Sequence, residues 1–443
     1  MLLEFRLENF KSFLDPTVFS LVPAPKQKDL QYSLLTKKID GISKVQKALC
    51  SSVIYGPNAS GKSNIICAVD FLRSVVLRGN ILDSASFNGL NPTSSFLPLA
   101  PNSSLVERRP VSLGITFLTE EFKVEYDIKL DLGEFLDTAY NRHISQESLK
   151  INEKLLFERK DGNIELAKNN LSNARMNTEE GRKLINQLSN EGLHPQELFL
   201  SNGFKNIVSP GVANKVLSWF RDDLRILYHS EKVRVGGSTN SETNQLVLEI
   251  LSSAAKAIGS KSLSFSFDTE GSTDKEKNVL YSVVKELKGA RTTINSEIYE
   301  SYGTVRFMHM FPLILSAIEN GTVLFIDEFD ASIHPMAIMS LINVFHNEEI
   351  NKKKAQLIFN THNPIFLNAN LFRRDEIKFV DREENNSSTI YSLSDFGTSG
   401  VGGVRKTDDY MKNYFIDRYG AISRVDFSSL VSRLTEKKHH EKP

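Results

Sequence analysis

The segment from Gly56 to Ser63 has the residue types and spacing needed to hold a phosphate. It fits the pattern GxxxxGK[ST] in full, with Gly56, Pro57, Asn58, Ala59, Ser60, Gly61, Lys62 and Ser63. Glycines let the backbone curl so that N–H groups point at phosphate oxygens, and a following helix adds its positive dipole end. We predict that Lys62 reaches the β- and γ-phosphates of a nucleotide, that the Ser63 hydroxyl binds Mg²⁺, and that the site extends to Asn64.

A pair of adjacent carboxylates, Asp327 and Glu328, ends the apolar run Val323–Ile326. Because successive side chains point to opposite sides of a strand, one carboxylate can hold hydrated Mg²⁺ while the next polarises a water for attack on the γ-phosphate. We assign the first role to Asp327 and the second to Glu328. ATP and Mg²⁺ are therefore the predicted cofactors.

A histidine follows a second apolar run. Gln356–Asn360 ends in Thr361-His362-Asn363, and His362 lies 34 residues after Glu328. If the two runs are neighbouring strands, His362 faces the γ-phosphate. We predict that it is catalytic together with Glu328.

The elements that must position these groups are strands buried on both faces. Such strands have almost wholly apolar sequences and are typical of parallel sheets. Val53–Tyr55 precedes the phosphate loop, as Val323–Ile326 precedes the acidic pair. Beyond the loop, apolar residues recur at helical spacing, namely Ile65, Ile66, Val69, Leu72, Val75 and Val76. Ile377–Val380 and Ile390–Leu393 indicate a terminal hairpin.

Other parts of the chain have a different period. Leu3, Phe5 and Leu7 alternate with polar residues, and the same holds for 122–132, which indicates antiparallel strands in a set with Val111–Leu118 and Leu155–Arg159. Val279, Val283 and Leu287 recur at i, i+4 and i+8 and predict an amphipathic helix. No heptad run is long enough for a long coiled coil.

We divide the chain into four predicted regions. Residues 1–165 form an ATPase lobe with the phosphate loop and an antiparallel β subdomain, 166–290 a mainly helical insertion, 291–400 a second ATPase lobe, and 401–443 a C-terminal segment.

Composition excludes several classes of protein. The 443 residues carry 54 Lys+Arg and 54 Asp+Glu, so the chain is not strongly polybasic, although a local basic groove is compatible with this balance. Two cysteines exclude a disulfide scaffold and a Cys₄ zinc site. Glu4 and Arg6 stand where a secretory signal would be apolar, and Phe307–Ile318 is too short and polar to span a bilayer. We expect a cytoplasmic protein.

Further segments resemble a known family. ENFKSF (8–13), SYGT (301–304) and FIDEFDASIHP (325–335), together with GPNASGKS and THN, are similar to the SMC/Rad50-like branch of the ABC ATPases. Within it, ELFLSNG (197–203), LFRRDEI (371–377) and RYGAI (418–422) resemble the AAA15 ATPases of bacterial anti-phage and abortive-infection systems, of the RloA/AbiLi type. The resemblance implies an α/β, ABC-type P-loop ATPase head with an antiparallel β subdomain, a helical insertion and no long coiled coil.

The resemblance also implies roles for single residues. It places Lys11 and Ser12 near the nucleotide, makes Ser301 and Gly303 the signature motif, puts Asp330 and Ser332 in the D-loop, and makes His362 the switch histidine. In this branch the signature meets the γ-phosphate bound by a partner subunit. It therefore implies a homodimer, or multiples of it, that sandwiches two ATP molecules.

This sequence departs from the family pattern at several points. The signature reads SYGT, with a bulky Tyr302, instead of a glycine-rich SGGQ. No clear Q-loop glutamine appears, and the turn Ser201-Asn202 is our candidate for its equivalent. The insertion is too short for an SMC arm and lacks CxxC, so tethering of DNA by long coiled coils is not expected.

Three hypotheses for function remain open. The first, which we favour, is an ATP-dependent switch that senses infection and controls a separate toxic effector, in this family often a TOPRIM-like nuclease. The second is a DNA-repair or recombination ATPase acting directly on DNA, and the third is a scaffold that holds ATP with little turnover, against which Glu328 and His362 count. We interpret the basic clusters as solvated faces, namely Arg108-Arg109, Lys352-Lys353-Lys354, Arg373-Arg374 and Lys437-Lys438.

Overall fold

The computed structural model describes residues 1–25, 27, 30–82, 97–105, 107–167, 183, 193–228, 241–268, 279–286, 289–399, 402–423, 427–428 and 432. The basic cluster at 437–438 lies outside these residues, as does most of 168–192. In the part that is described, no helix is long and apolar enough to cross a membrane.

A six-stranded core sheet carries the predicted motifs. Its strands are β5 (Ser51–Tyr55), β11 (Leu224–Leu227), β15 (Val323–Ile326), β16 (Gln356–Asn360), β17 (Ile377–Arg382) and β18 (Ser388–Ser392). They lie in the order β11-β15-β16-β5-β17-β18, and all neighbours are parallel except the β17–β18 hairpin. Every residue of β5, β15 and β16 is buried, which confirms the prediction drawn from their apolar runs.

A seven-stranded antiparallel sheet forms the β subdomain. Its strands are β1 (Leu2–Glu8), β2 (Thr17–Ser20), β6 (Val111–Leu118), β7 (Lys123–Asp131), β8 (His143–Ile151), β9 (Lys154–Lys160) and β10 (Asn163–Leu166). They lie in the order β10-β9-β8-β7-β6-β1-β2. The strands predicted from the two-residue period are present, whereas β8 and β10 were not predicted. A separate hairpin joins β3 (Leu34–Lys37) and β4 (Gln46–Leu49).

Helices cover both faces of the core sheet. The described helices are α1 (Lys62–Arg78), α2 (Pro210–Ser218), α3 (Ser241–Ala257), α4 (Ser296–Tyr299), α5 (Tyr302–Asn320), α6 (Pro335–His346) and α7 (Tyr410–Phe415), with a π-helical segment at Leu200–Val208. Of these, α3 and α4 pack on α5 or on a small separate sheet instead of on the core sheet. Ile54 packs in one core with α1 and the antiparallel sheet, whereas Val53 and Tyr55 pack in a second core with α5 and α6. The alternation along β5 thus places α1 on one face of the sheet and the two later helices on the other.

The described part of the segment predicted as a helix from Val279 to Leu287 is instead a strand, and Leu287 lies outside the described residues. β13 (Val279–Lys285) pairs with β12 (Ser264–Asp268) and β14 (Arg291–Asn295) in a small antiparallel sheet. Offsets of four and eight are even numbers, so residues at that spacing also share one face of a strand. The described part of 166–290 therefore contains strands as well as helices, and its strand β11 belongs to the core sheet.

The Arg373-Arg374 cluster is not a solvated face. Arg373 is buried and its guanidinium donates to both oxygens of Asp375 at 2.9 Å, while Arg374 donates to the carbonyls of Gly397 and Val404 at 2.7 Å. These arginines bind the chain's own backbone and carboxylate, so their role is structural.

Candidate active site

The phosphate loop lies between β5 and α1, as predicted, and its conformation depends on glycine. Gly61 has φ +109°, and a Cβ there would lie 2.5 Å from the hydroxyl oxygens of both Ser12 and Ser388. The loop therefore passes too close to its neighbours for a side chain at this position. The residues brought together at the carboxyl end of β5 are Gly56, Pro57, Asn58, Ala59, Ser60, Gly61, Lys62, Ser63 and Asn64.

Lys62 is buried against the phosphate loop, where it is predicted to bind the β- and γ-phosphates. Its Nζ donates to the carbonyls of Gly56 and Pro57, each at 2.8 Å. Burial lowers the pKa of Lys62 to about 8, although the negative charges of Asp327 and Glu328 oppose the shift. An ammonium held in a partly desolvated loop interacts strongly with an arriving phosphate, because the surrounding medium screens the attraction less than water does.

Ser63 and Asp327 form the predicted metal pair. The Ser63 hydroxyl donates to Asp327 Oδ1 at 2.8 Å, which joins the first turn of α1 to the end of β15. Two oxygen ligands side by side fit Mg²⁺, which prefers hard oxygen donors and keeps several waters. These residues would hold the ion, and the ion would neutralise charge on the β- and γ-phosphates.

Asn360 is a site residue that sequence analysis missed. Its amide nitrogen donates to Asp327 Oδ1, and its carbonyl oxygen accepts from the backbone N–H of Glu328 at 2.6 Å. Asn360 is the last residue of β16, which lies between β15 and β5, so it sits between the acidic pair and the phosphate loop. A polar residue ending a wholly apolar strand just before Thr361 was the available signal.

Glu328 has an unusual backbone conformation that is fixed from two sides. Its φ is +50°, the left-handed region that residues other than glycine rarely adopt. Its N–H is bound by Asn360, and its carbonyl accepts from Arg306 Nη2 at 2.7 Å. β15 ends at Ile326, so both carboxylates lie in the turn after the strand, and the alternation of side chains along a strand does not set their directions.

His362 lies next to the other charged groups of the site. The pKa of His362 is lowered by the protein around its ring and by the positive charge of Lys62, against the opposing charges of Glu328, Asp330 and Asp327. The side chain is nevertheless exposed in the single chain. A lowered pKa keeps the imidazole neutral at pH 7, so that it can both donate and accept a hydrogen bond.

The turn after β1 and the β17–β18 hairpin enclose the loop. The hydroxyl of Ser12 accepts from Asn64 at 2.8 Å, and the Ser12 carbonyl accepts from the backbone of Ser388 at 2.7 Å. Ser388 also donates to the Ser60 carbonyl at 2.5 Å. Ser12 was expected at this place, whereas Ser388 was not. Lys11 has φ +50°, and its Nζ lies 5.8 Å from the Phe10 ring.

Gly303 of the predicted signature and Ser332 of the predicted D-loop lie against each other within one chain. Ser301 caps α5, and its hydroxyl oxygen accepts from the Thr304 backbone at 3.1 Å. A Cβ on Gly303 would lie 2.1 Å from the carbonyl oxygen of Ser332, so glycine is required for this approach. Among the described residues, no hydrogen bond joins Ser301 or Gly303 to the phosphate loop of the same chain.

The candidate for the Q-loop equivalent is wrong. Ser201 donates to the Val76 carbonyl at 3.2 Å and Asn202 to the Gly79 carbonyl at 3.3 Å, both at the carboxyl end of α1. A helix of 17 residues is about 25 Å long, and the phosphate loop is at its other end. The strand end beside Asp327 is that of β11, since the Asp327 N–H donates to the Leu227 carbonyl at 2.8 Å.

One buried group of potential metal ligands lies elsewhere. Cys50, His346 and Glu376 place their ligand atoms within 4.8 Å of one another, among the residues that the structure describes. The Ser51 hydroxyl lies 2.9 Å from His346 Nε2 and 2.8 Å from Glu376 Oε1. Because this hydroxyl already joins the imidazole to the carboxylate, we interpret the group as a structural hydrogen-bond network.

Comparison with known proteins gives the family. A family model described as "AAA domain, putative AbiEii toxin, Type IV TA system" matches residues 51–368, more than half of the chain. The chain belongs to this family. The matched segment of this AAA-domain protein runs from β5 through the acidic pair to just beyond His362.

Solved structures and curated proteins add the following. The SMC head domain from Thermotoga maritima is similar at 15% identity, over 88% of this chain and 98% of that chain, with a TM-score of 0.35. No curated protein matches the sequence. The predicted α/β P-loop ATPase fold with an antiparallel β subdomain is confirmed, and the longest described helix is Tyr302–Asn320. ATPases of this kind use ATP with a divalent metal ion.

Proposed function

We propose that this protein is a switch ATPase that hydrolyses ATP to ADP and phosphate between two copies of the chain and regulates a bacterial defence system. The observation that carries the hydrolysis is the position of Asn360, whose amide binds the side chain of Asp327 and the backbone of Glu328 at once. Asp327, the proposed metal ligand, also accepts a hydrogen bond from Ser63, which supports this assignment.

In the proposed reaction, a water oxygen bonds to the γ-phosphorus while the bond from that phosphorus to the β–γ bridging oxygen breaks. Glu328 accepts the proton that the water loses, and ADP leaves with the bonding electron pair. Lys62 exchanges its two carbonyl partners for phosphate oxygens. His362, neutral at pH 7, orients the attacking water or the γ-phosphate. Mg²⁺ supplies neutralisation of the phosphate charge when bound.

We further propose that the ATP-bound form is a dimer. Among the described residues, neither Ser301 nor Gly303 hydrogen-bonds to the phosphate loop of its own chain. Ser301 is exposed and Gly303 is half-buried at the start of α5. A helix amino terminus with a serine cap binds anions well. The γ-phosphate held by a second copy would complete each site, and loss of that phosphate after hydrolysis would open the interface.

The biological role that we propose is that of a cytoplasmic sensor in an anti-phage system of the RloA/AbiLi type. Two observations support it: the resemblance of the segments around 197–203, 371–377 and 418–422, and the family name, which refers to a toxin–antitoxin system. The toxic effector would be a separate protein, such as a TOPRIM-like nuclease, that reads the opening and closing of the dimer.

Light scattering of purified variants tests the ATPase switch. Glu328→Gln keeps the size of the side chain but loses the base, so with ATP and Mg²⁺ it should form a stable dimer and hydrolyse ATP about 10²-fold more slowly or worse. Ser301→Arg should bind ATP and stay monomeric. Glu319→Gln is the matched control for Glu328→Gln. Monomeric Glu328→Gln under these conditions would exclude the sandwich.

An infection assay tests the biological role. Cells that carry this gene with its neighbouring reading frame should resist phage, and Lys62→Ala should abolish the resistance while the protein level stays unchanged. Equal resistance with Lys62→Ala would exclude ATP-dependent control of the effector.

A second candidate function is ATP-dependent action on DNA. A cavity of about 660 Å³ is lined by five lysines, Lys37, Lys215, Lys352, Lys353 and Lys354. It ranks second because Glu120 binds Lys37 at 2.7 Å and Glu121 binds Lys215, which reduces the positive charge available to a phosphate backbone. DNA-stimulated hydrolysis that is lost in Lys352→Glu/Lys353→Glu would favour this function.

A further inference from the structure

Glu300 directly precedes the signature serine and has three hydroxyl partners. Its Oε1 accepts from Ser260 at 2.8 Å, from Ser262 at 2.5 Å and from Ser282 at the longer distance of 3.4 Å. Ser282 also lies 2.9 Å from the Ser296 hydroxyl. A half-buried carboxylate with several hydroxyl donors is held firmly, because hydrogen bonds to a charged acceptor are stronger than neutral ones.

The three serines come from the insertion. Ser260 and Ser262 lie between α3 and β12, and Ser282 lies in the middle of β13. The same insertion packs on α5, since Met308 of that helix shares a buried apolar cluster with residues of α3, β12 and β13. The insertion therefore contacts the signature region in two ways, through a hydrophobic cluster and through Glu300.

The local backbone links Glu300 to the cap of α5. The Glu300 N–H donates to the Ser296 carbonyl at 2.9 Å, which ends α4, and the next residue is Ser301 in an extended conformation. With its neighbour fixed on both sides, Ser301 has little freedom to turn. The hydroxyl that caps α5 is therefore held in one orientation.

We propose that Glu300 is a positioning residue for the signature: held by the insertion's serines, it fixes Ser301 in the orientation that closes the ATP-bound dimer. This inference rests on the proposed function, because the dimer is the state in which Ser301 acts.

The experiment measures closure in the Glu328→Gln protein, with a second substitution added. Glu300→Ala should leave the Kd for ATP within about twofold but weaken ATP-dependent dimerisation by about tenfold or more, because hydrogen bonds to a charged group are lost. Glu300→Gln should recover most of the dimer, since its amide oxygen still accepts from hydroxyls. Glu297→Ala, an exposed glutamate three residues earlier, is the matched control.

Ser262→Ala is the second variant, in case Glu300→Ala does not fold, and it should weaken dimerisation in the same direction. Equal dimerisation of the Glu328→Gln protein with and without Glu300→Ala, or with and without Ser262→Ala, would overturn the positioning role alone. Absence of a dimer in the Glu328→Gln parent would overturn the proposed sandwich and this inference together.

Discussion

Arg306 Nη2 donates to the main-chain carbonyl of Glu328 at 2.7 Å. Arg306 lies in the second turn of α5, the helix that begins at the predicted signature, and Glu328 is the proposed base in the turn that follows β15. The bond supports the left-handed backbone of Glu328, whose φ of +50° needs contacts to maintain it. Movement of α5 would therefore shift the backbone of Glu328, the proposed base.

Arg306→Ala should lower kcat for ATP hydrolysis by about tenfold or more and leave KM within about twofold, because a base displaced by a fraction of an ångström reacts poorly while the phosphate loop is unchanged. Steady-state kinetics measures both constants. Arg291→Ala, an exposed arginine at the start of β14, should behave as wild type. Unchanged kcat in Arg306→Ala would show that Glu328 keeps its position without this bond.

Asn360→Ala should reduce turnover and also weaken the affinity for Mg²⁺. The substitution removes the amide that binds both the Asp327 side chain and the Glu328 backbone. We expect kcat to fall by about 10²-fold and the Mg²⁺ concentration for half-maximal activity to rise by about tenfold. A magnesium titration of hydrolysis gives both values. Asn363→Ala, three residues later and outside this network, is the control, and an equal effect there would contradict the role of Asn360.

The affinity for ATP should fall as the pH rises above about 8. Lys62 of the free protein has its pKa lowered to about 8, so above that pH it must take up a proton to bind phosphate as a cation. Above that pH the Kd should increase by up to about tenfold per pH unit. Below it Lys62 is already charged in the free protein, so its titration should not change the Kd. Calorimetry between pH 7 and 9.5 tests this, because the ATP phosphates are already fully ionised in most of that range. A flat profile would mean that Lys62 stays charged throughout.

Gly303→Ala should prevent closure without preventing ATP binding. The added Cβ would lie 2.1 Å from the Ser332 carbonyl, which is backbone and cannot rotate away, so the signature and D-loop must separate. In the Glu328→Gln background we expect ATP binding within about twofold of the parent and dimerisation at least about tenfold weaker. Light scattering with ATP decides the matter. Gly211→Ala, where a Cβ meets nothing within 4 Å and the backbone is helical, controls for loss of a glycine.

Local features of the sequence determined the core of this site. The phosphate loop, the acidic pair and His362 each follow a short apolar strand, and all three strands are present at the predicted positions. Such predictions succeed because the burial of a strand and the chemistry of a loop both depend on residues that are adjacent in the sequence. The antiparallel strands around Tyr126 were predicted for the same reason, from a strict period of two.

Tertiary structure alone decided the contacts between distant segments. Asn360 acts as a bridge only because β16 lies between β15 and β5, an order that no local pattern specifies. The spacing of Val279 and Val283 suits a helix and a strand equally, so pairing with β12 and β14 made the choice. Ser201 and Asn202 were predicted to lie near the phosphate loop but bind the other end of α1. The sequence of a short turn does not specify which end of a helix it will contact. Arg306 and Glu300 bind groups 22 and 38–40 residues away, and such partners are selected by folding rather than by spacing.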